Sequence, residues 1–267
     1  MLNNKLPISA IVVGYNEVGF LVNSLPKLAF CDEILYYDLG STDTSVEVAN
    51  NCGAKVIHHD KVPGCEWIHA KYGDKTKNKW ILITDPDEII DDFTIENIQK
   101  LFNENKLTDD IGCILAPIFY YFKNKKLLGT IWGGEKRRLL LAHNEKFSFT
   151  AHVHQGRQLR DGYIPYHLSS DNQNGIKHYW ANSYLFLFKK HYRYLKNEGD
   201  ARFQNSQRTS LKELALAPLK SFRICFFLAK GYKDGFTGLF LSLFWSWYET
   251  SALIRLYGIQ IKQSAKH

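Results

Sequence analysis

Three strand-like runs near the start of the chain each stop on polar residues. Ile8–Val13 leads into Asn16 and Glu17, Glu33–Tyr37 into Asp38, and Trp80–Thr84 into Asp85-Pro86-Asp87-Glu88. Helical patterns lie between them, up to about Leu28, from Thr44 to about Cys52, and over Glu66–Thr76. Lys55–His58 adds a further strand pattern. Single helices between strands demand right-handed βαβ crossovers and therefore a mostly parallel sheet. Thr44 and Glu47 have the spacing of a capping box, and Thr94 reads as the N-cap of a helix over 94–102. After about residue 110 the alternation ends: Ile114–Phe122, Arg138–Leu141 and Phe147–Val153 read as strands, and everything from Ser183 onward reads as helix. The expected organisation is an α/β domain over residues 1–182, divided near 110, with a helical extension over 183–267.

In an open α/β sheet, ligands bind beyond the carboxyl ends of the strands. All three polar clusters fall there. Three carboxylates within four residues repel one another, and a divalent cation is the usual remedy. Asp and Glu oxygens suit Mg²⁺ or Mn²⁺, which commonly bind through one or two carboxylates plus substrate phosphates. A bound diphosphate would complete such a site. Without that coincidence, Asp85–Glu88 would read as an acidic turn before a helix, with Pro86 fixing φ and Asp91 or Asp92 capping.

Other chemistries lack their motifs. The chain has no Gly-x-Gly-x-x-Gly, no P-loop, no His-Glu-x-x-His and no zinc spacing, and Gly40-Ser41 is not a nucleophile elbow. The five cysteines, at 31, 52, 65, 113 and 225, form no Cys-x-x-Cys and read as reduced thiols. Ile8–Val13 is too short for a signal segment.

Charge is unevenly placed within the net +7. Residues 189–267 carry 14 Lys and Arg against 5 Asp and Glu, whereas residues 1–188 carry 20 against 22. A basic tail calls for a polyanion, either nucleic acid or anionic lipid. Between Asp234 and Glu249 lies an uncharged run rich in Phe, Leu and Trp. As a helix, Gly235–Tyr248 would reach roughly 21 Å, short of a hydrocarbon core of roughly 30 Å. An in-plane contact with an anionic membrane surface fits this run, with Lys230, Lys233 and Arg255 around it; Phe222–Leu228 repeats the theme beside Lys220 and Arg223. A buried core helix or an oligomer interface fits the same pattern.

Ile8-Ser-Ala-Ile-Val-Val-Gly-Tyr-Asn-Glu17, Asp38-Leu-Gly-Ser-Thr-Asp43-Thr44 and Trp80-Ile-Leu-Ile-Thr-Asp85-Pro-Asp-Glu88 together resemble family 2 glycosyltransferases of the GT-A fold. Trp132-Gly-Gly-Glu135-Lys-Arg-Arg138-Leu139, His152-Val-His154-Gln155 and Gly231-Tyr-Lys-Asp234-Gly235-Phe-Thr-Gly238 resemble a bacterial branch that glycosylates lipopolysaccharide core or other surface glycans. The resemblance implies a Rossmann-like GT-A domain and a C-terminal helical extension that meets the membrane. Residues 1–110 would be its nucleotide-sugar half and 111–182 its acceptor half. It implies an inverting transfer of a hexose from a nucleotide-sugar, typically UDP-linked, to a lipopolysaccharide core or lipid-linked glycan, at the cytoplasmic face of the inner membrane.

The same resemblance assigns roles. Tyr15 and Glu17 flank the nucleotide and Asp38 meets the nucleobase. Asp87 ligates Mn²⁺ or Mg²⁺, Asp85 contacts ribose or metal, and His154 completes the metal shell. Glu135 is the base, or else it pairs with Lys136 or Arg138, and Trp132 stacks on the acceptor or belongs to the core. Arg138 holds phosphate or a strand carboxylate. Leu39, His69 and Gln155 stand where relatives often carry Asp, Arg and Glu. Two other classes remain open. A catalytically silent scaffold would bind a partner through residues 220–250. A nucleic-acid binder would use the basic tail, although its aromatics lie in an uncharged block rather than among the cations, so no nucleic acid is expected.

Overall fold

The computed structural model describes residues 5–150 and 157–264. The first stretch runs β1 (Leu6–Gly14), α1 (Val18–Ser24), β2 (Cys31–Asp38), α2 (Ser45–Asn51), β3 (Lys55–His58), α3 (Cys65–Tyr72), β4 (Trp80–Thr84), β5 (Glu88–Ile90) and α4 (Asp92–Asn103). Strands β6 (Ile111–Phe122), β7 (Lys125–Lys126), β8 (Lys136–His143), β9 (Phe147–Phe149), β10 (Arg157–Leu159), β11 (Ile164–His167) and β12 (Ile176–Ala181) follow. Helices α5 (Tyr184–Gln204), α6 (Leu211–Arg223) and α7 (Gly235–Ser264) come last.

The main sheet has the order β3-β2-β1-β4-β8-β6-β12-β5. Strands β3, β2, β1 and β4 pair in parallel. Strand β8 joins antiparallel between β4 and β6, and β12 pairs antiparallel with β5. Ile8, Ile11, Ile81 and Ile83 are fully buried. Central parallel strands are covered on both faces, which is why these segments read as continuous apolar runs rather than alternating ones.

Two cap expectations are corrected. Thr44 precedes α2 but its side chain makes no cap hydrogen bond. Asp43 serves the helix start instead, its Oδ1 accepting from the Ser45 amide at 3.0 Å. At α4 the N-cap is Asp91, whose carboxylate accepts from the Thr94 amide at 2.9 Å and from the Gly175 amide at 2.7 Å. A capping oxygen must come from an extended residue just before the first turn. Asp91 has that backbone, and Thr94 lies already inside the helix.

The chain forms two compact units. One contains residues up to 119 and 135–178; the other contains residues 120–134 and those from 179 onward. Within the second unit, Asp234 is buried, and its two carboxylate oxygens accept from the amides of Leu128, at 2.8 Å, and Gly129, at 2.7 Å. A Cβ at Gly129 would stand 2.0 Å from the Lys230 carbonyl oxygen, so only glycine lets the two backbone segments meet. Phe122, Trp180, Leu187, Leu241 and Phe244 form this unit's core. Arg202 bridges α5 to α7 through Glu249, at 2.7 and 3.1 Å, and also meets Glu198 at 2.9 Å. The apolar run is the first half of α7, a helix of 30 residues that continues well past Tyr248. Among the described residues, no helix is long and apolar enough to cross a membrane.

Candidate active site

The loops at the carboxyl ends of β1 and β2 bind one another through polar side chains, and an acidic turn follows β4. Asn16 has φ of 56°, a left-handed conformation that Asn tolerates better than most residues. In that pose its Oδ1 accepts from the Thr42 amide at 2.7 Å, and its own amide donates to Ser41 Oγ at 2.9 Å. The Glu17 amide donates to Ser45 Oγ at 3.0 Å. Tyr15 remains 41% exposed, with Lys61 Nζ 3.9 Å from its ring centre.

Asp38 faces inward, its side chain only 2% exposed. Its carboxylate accepts from the amides of Ser41, at 3.0 Å, and Gly40, at 3.3 Å, and contacts His58 Nδ1 at 3.1 Å. Burial works to raise its pKa, but the hydrogen bonds from Ser41, His58 and Gly40 outweigh it and hold the carboxyl below its ordinary range.

Beyond β4, Asp85–Glu88 closes as a turn. The Glu88 amide donates to the Asp85 carbonyl at 3.0 Å, and the Asp85 amide donates to Glu88 Oε2 at 3.0 Å. Glu88 is the buried member of the acidic trio, its side chain 2% exposed and paired with Arg138. Arg138 also reaches Asp85 at 3.5 Å. His178 Nε2 lies 3.3 Å from Asp87, and its Nδ1 lies 3.8 Å from Glu88. Asp85 and Asp87 keep open surface, at 39% and 20% side-chain exposure.

The structure thus gathers Asp85, Asp87, Glu88, Arg138 and His178. His178 has no spacing signal in the sequence. It arrives because β12 pairs antiparallel with β5 and sets His178 opposite Glu88. Among the described residues, no group of three His, Cys, Asp or Glu side chains is arranged to hold a metal ion. The donor chemistry still fits a hard divalent cation: two half-open carboxylates, with further positions left for phosphate oxygens and water. His154 and Gln155 lie outside the described residues.

Glu135 sits just before β8. It pairs with Arg137 at 3.2 Å and accepts from Ser170 Oγ, while Arg137 Nη1 donates to the Leu168 carbonyl at 2.6 Å. Its partner is therefore Arg137, one residue away from either cation that adjacency alone would choose. Trp132 belongs to the second unit, where its ring lies 4.5 Å from Trp180 and 5.6 Å from Trp245, centre to centre. His69 is buried in α3 with its ring 6.3 Å from Phe149.

A mixed α/β sheet with acidic turns at the carboxyl ends of its parallel strands, followed by C-terminal helices, fits the GT-A fold. The model of glycosyl transferase family 2 matches residues 9–160, and the chain belongs to that family. An uncharacterized glycosyltransferase of Rickettsia bellii is 33% identical over 100 residues, covering 36% of this chain and 32% of that protein. The chain therefore matches about a third of that relative's length. Among solved structures, glucosyl-3-phosphoglycerate synthase from Mycobacterium tuberculosis with phosphoglyceric acid is 19% identical over 43% of each chain, with a TM-score of 0.33. A mannosyltransferase from Pyrobaculum calidifontis with GDP-Man and Mn²⁺ is 16% identical over 41% of this chain and 35% of that one, with a TM-score of 0.34.

Proposed function

We propose that the protein is an inverting, metal-dependent glycosyltransferase that moves a hexose from a UDP-sugar to a lipid-linked glycan, such as lipopolysaccharide core, at the inner face of the cytoplasmic membrane. The observation that carries the donor half is the pair of half-open carboxylates, Asp85 and Asp87, on a turn closed by Glu88. These two residues would hold Mn²⁺ or Mg²⁺. The ion, when bound, would neutralise the negative charge that develops on the leaving diphosphate. Tyr15 and Glu17 border the nucleotide, and Asp38 shapes the loop beneath it. Arg138 would keep Glu88 and turn from Asp85 toward the donor phosphates.

Glu135 acts as the base. The acceptor hydroxyl oxygen bonds to the anomeric carbon while the bond to the diphosphate breaks, its electron pair leaving with the phosphate oxygen. The hydroxyl proton passes to the Glu135 carboxylate. Arg137 and Ser170 orient that carboxylate, which retains lone pairs for the acceptor.

The membrane half of the reading rests on the second unit. Leu219, Phe227, Leu228, Tyr232 and Phe236 are exposed in the same stretch of chain as the exposed Lys220, Arg223, Lys230 and Lys233. Apolar side chains among cations match the chemistry of an anionic bilayer surface. Calorimetric titration of UDP with and without Mn²⁺, against wild type and Asp87→Ala, tests the donor half. Metal-dependent binding that vanishes in the variant is expected. Equal binding by both proteins would remove Asp87 from the metal, and binding of GDP, CMP or dTDP in place of UDP would change the donor.

A further inference from the structure

Helices α5 and α7 part to leave a cleft of about 290 Å³ that nothing in the reading above uses. Lys196, Arg255 and Lys262 line it, against a single carboxylate, Asp200. All four side chains are exposed. None of the four belongs to an ion pair among the described residues, although other cations of the same helices do, Arg202 with Glu249 among them.

Two glycines shape the cleft, and they differ. Gly199 is buried where the helices touch, and a Cβ there would lie 2.9 Å from Arg255 Cβ, so packing requires its small size. Gly258 has no such reason. A Cβ at 258 would meet nothing within 4 Å, and the residue lies in the interior of α7 on the lining of the cleft. Glycine inside a helix costs about 1 kcal/mol relative to alanine, and no packing contact returns that cost here. A group that needs the space would. Three cations facing a concavity, with one carboxylate among them, select an anion.

We infer that this cleft binds a phosphate group, with Lys196, Arg255 and Lys262 as its donors and Gly258 keeping it open. A free phosphate compound and a phospholipid headgroup share that chemistry. The site is independent of the donor reading, because it uses none of the strand-end residues.

The test uses the full chain in EDTA-containing buffer, with two probes. Inorganic pyrophosphate is titrated calorimetrically, and co-sedimentation is measured with phosphatidylcholine vesicles with and without phosphatidylglycerol. Two variants are compared with wild type, both checked for an unchanged circular dichroism spectrum. Arg255→Gln with Lys262→Gln removes charge. Gly258→Leu fills the cleft, leaves net charge unchanged and favours the helix. Both should weaken the affected probe by at least about tenfold. Loss of pyrophosphate binding in both supports a free phosphate ligand; loss confined to phosphatidylglycerol vesicles in both supports a lipid headgroup. If the wild type binds neither probe, the proposal fails. It also fails if Gly258→Leu binds as the wild type does, because the charges would then act as a diffuse field without a built site.

Discussion

Strands β2 and β4 flank β1 in the sheet, and each ends in an acidic turn, yet the two turns are built in opposite ways. At Asp38 the carboxylate is spent on backbone amides of its own loop, from Gly40 and Ser41. At Asp85–Glu88 the buried Glu88 closes the turn, while Asp85 and Asp87 pair with the side chains of Arg138 and His178 and keep solvent access. A backbone amide cannot leave its acceptor without refolding the loop. A side-chain cation leaves by changing rotamer. The first turn is therefore fastened, and the second has partners that can be exchanged, as the proposed binding of a metal and a diphosphate requires. Carboxylates at strand ends are thus of two kinds, and the partner's chemistry tells them apart.

The largest expected effect lies at the exchangeable turn. Asp87→Ala should lower turnover at least about a thousandfold, while the thermal midpoint moves by no more than about 3 °C. A variant that unfolds early instead would place Asp87 with Asp38 and erase the contrast. Arg138→Gln should cost about 3 kcal/mol in urea unfolding, because it strips the cation from a buried Glu88. Unchanged stability there would mean that the turn's own amide suffices for Glu88.

Asp38→Ala should cost about 2 kcal/mol by leaving the Gly40 and Ser41 amides without their acceptor. The folded carboxyl ionises below its ordinary value of 3.8, so its contribution is complete above that pH and disappears as pH falls through the folded value. Urea midpoints followed into acid should therefore fall less steeply in Asp38→Asn than in wild type below about pH 4. A parallel fall in both proteins would show that Asp38 contributes no such linkage. The smallest effect belongs to His58→Ala. Its ring is largely exposed, and the pair with Asp38 should be worth about 0.5 kcal/mol or less. A larger loss would make the imidazole, rather than the amides, the main holder of Asp38.

The second unit offers a fastened carboxylate of the same kind as Asp38. Asp234 is held by the Leu128 and Gly129 amides, more than a hundred residues earlier in the chain. The motif Gly231–Gly238 was legible as a motif, but its work, joining residues 128–129 to the turn before α7, was not. Local pattern names a residue; it does not name a partner so far away. The same limit hid His178, which reaches Asp87 and Glu88 through strand pairing, and it left Glu135 open between Lys136 and Arg138 when its partner is Arg137.

What the amino-acid order settled alone was whatever depends on neighbours within a turn or two. The apolar runs specified β1, β2 and β4, the acidic turn after β4 was visible in place, and the spacing of strands and helices specified the crossovers. These follow from short-range periodicity and from burial on both faces of a parallel sheet. Tertiary structure decided which carboxylates keep solvent access. Asp38 turned inward, Glu88 sank beside Arg138, and Asp85 and Asp87 stayed open, because ladder register and loop packing brought together groups distant in the chain. Only such contacts fix a buried carboxylate's partners, and they leave no mark in local sequence.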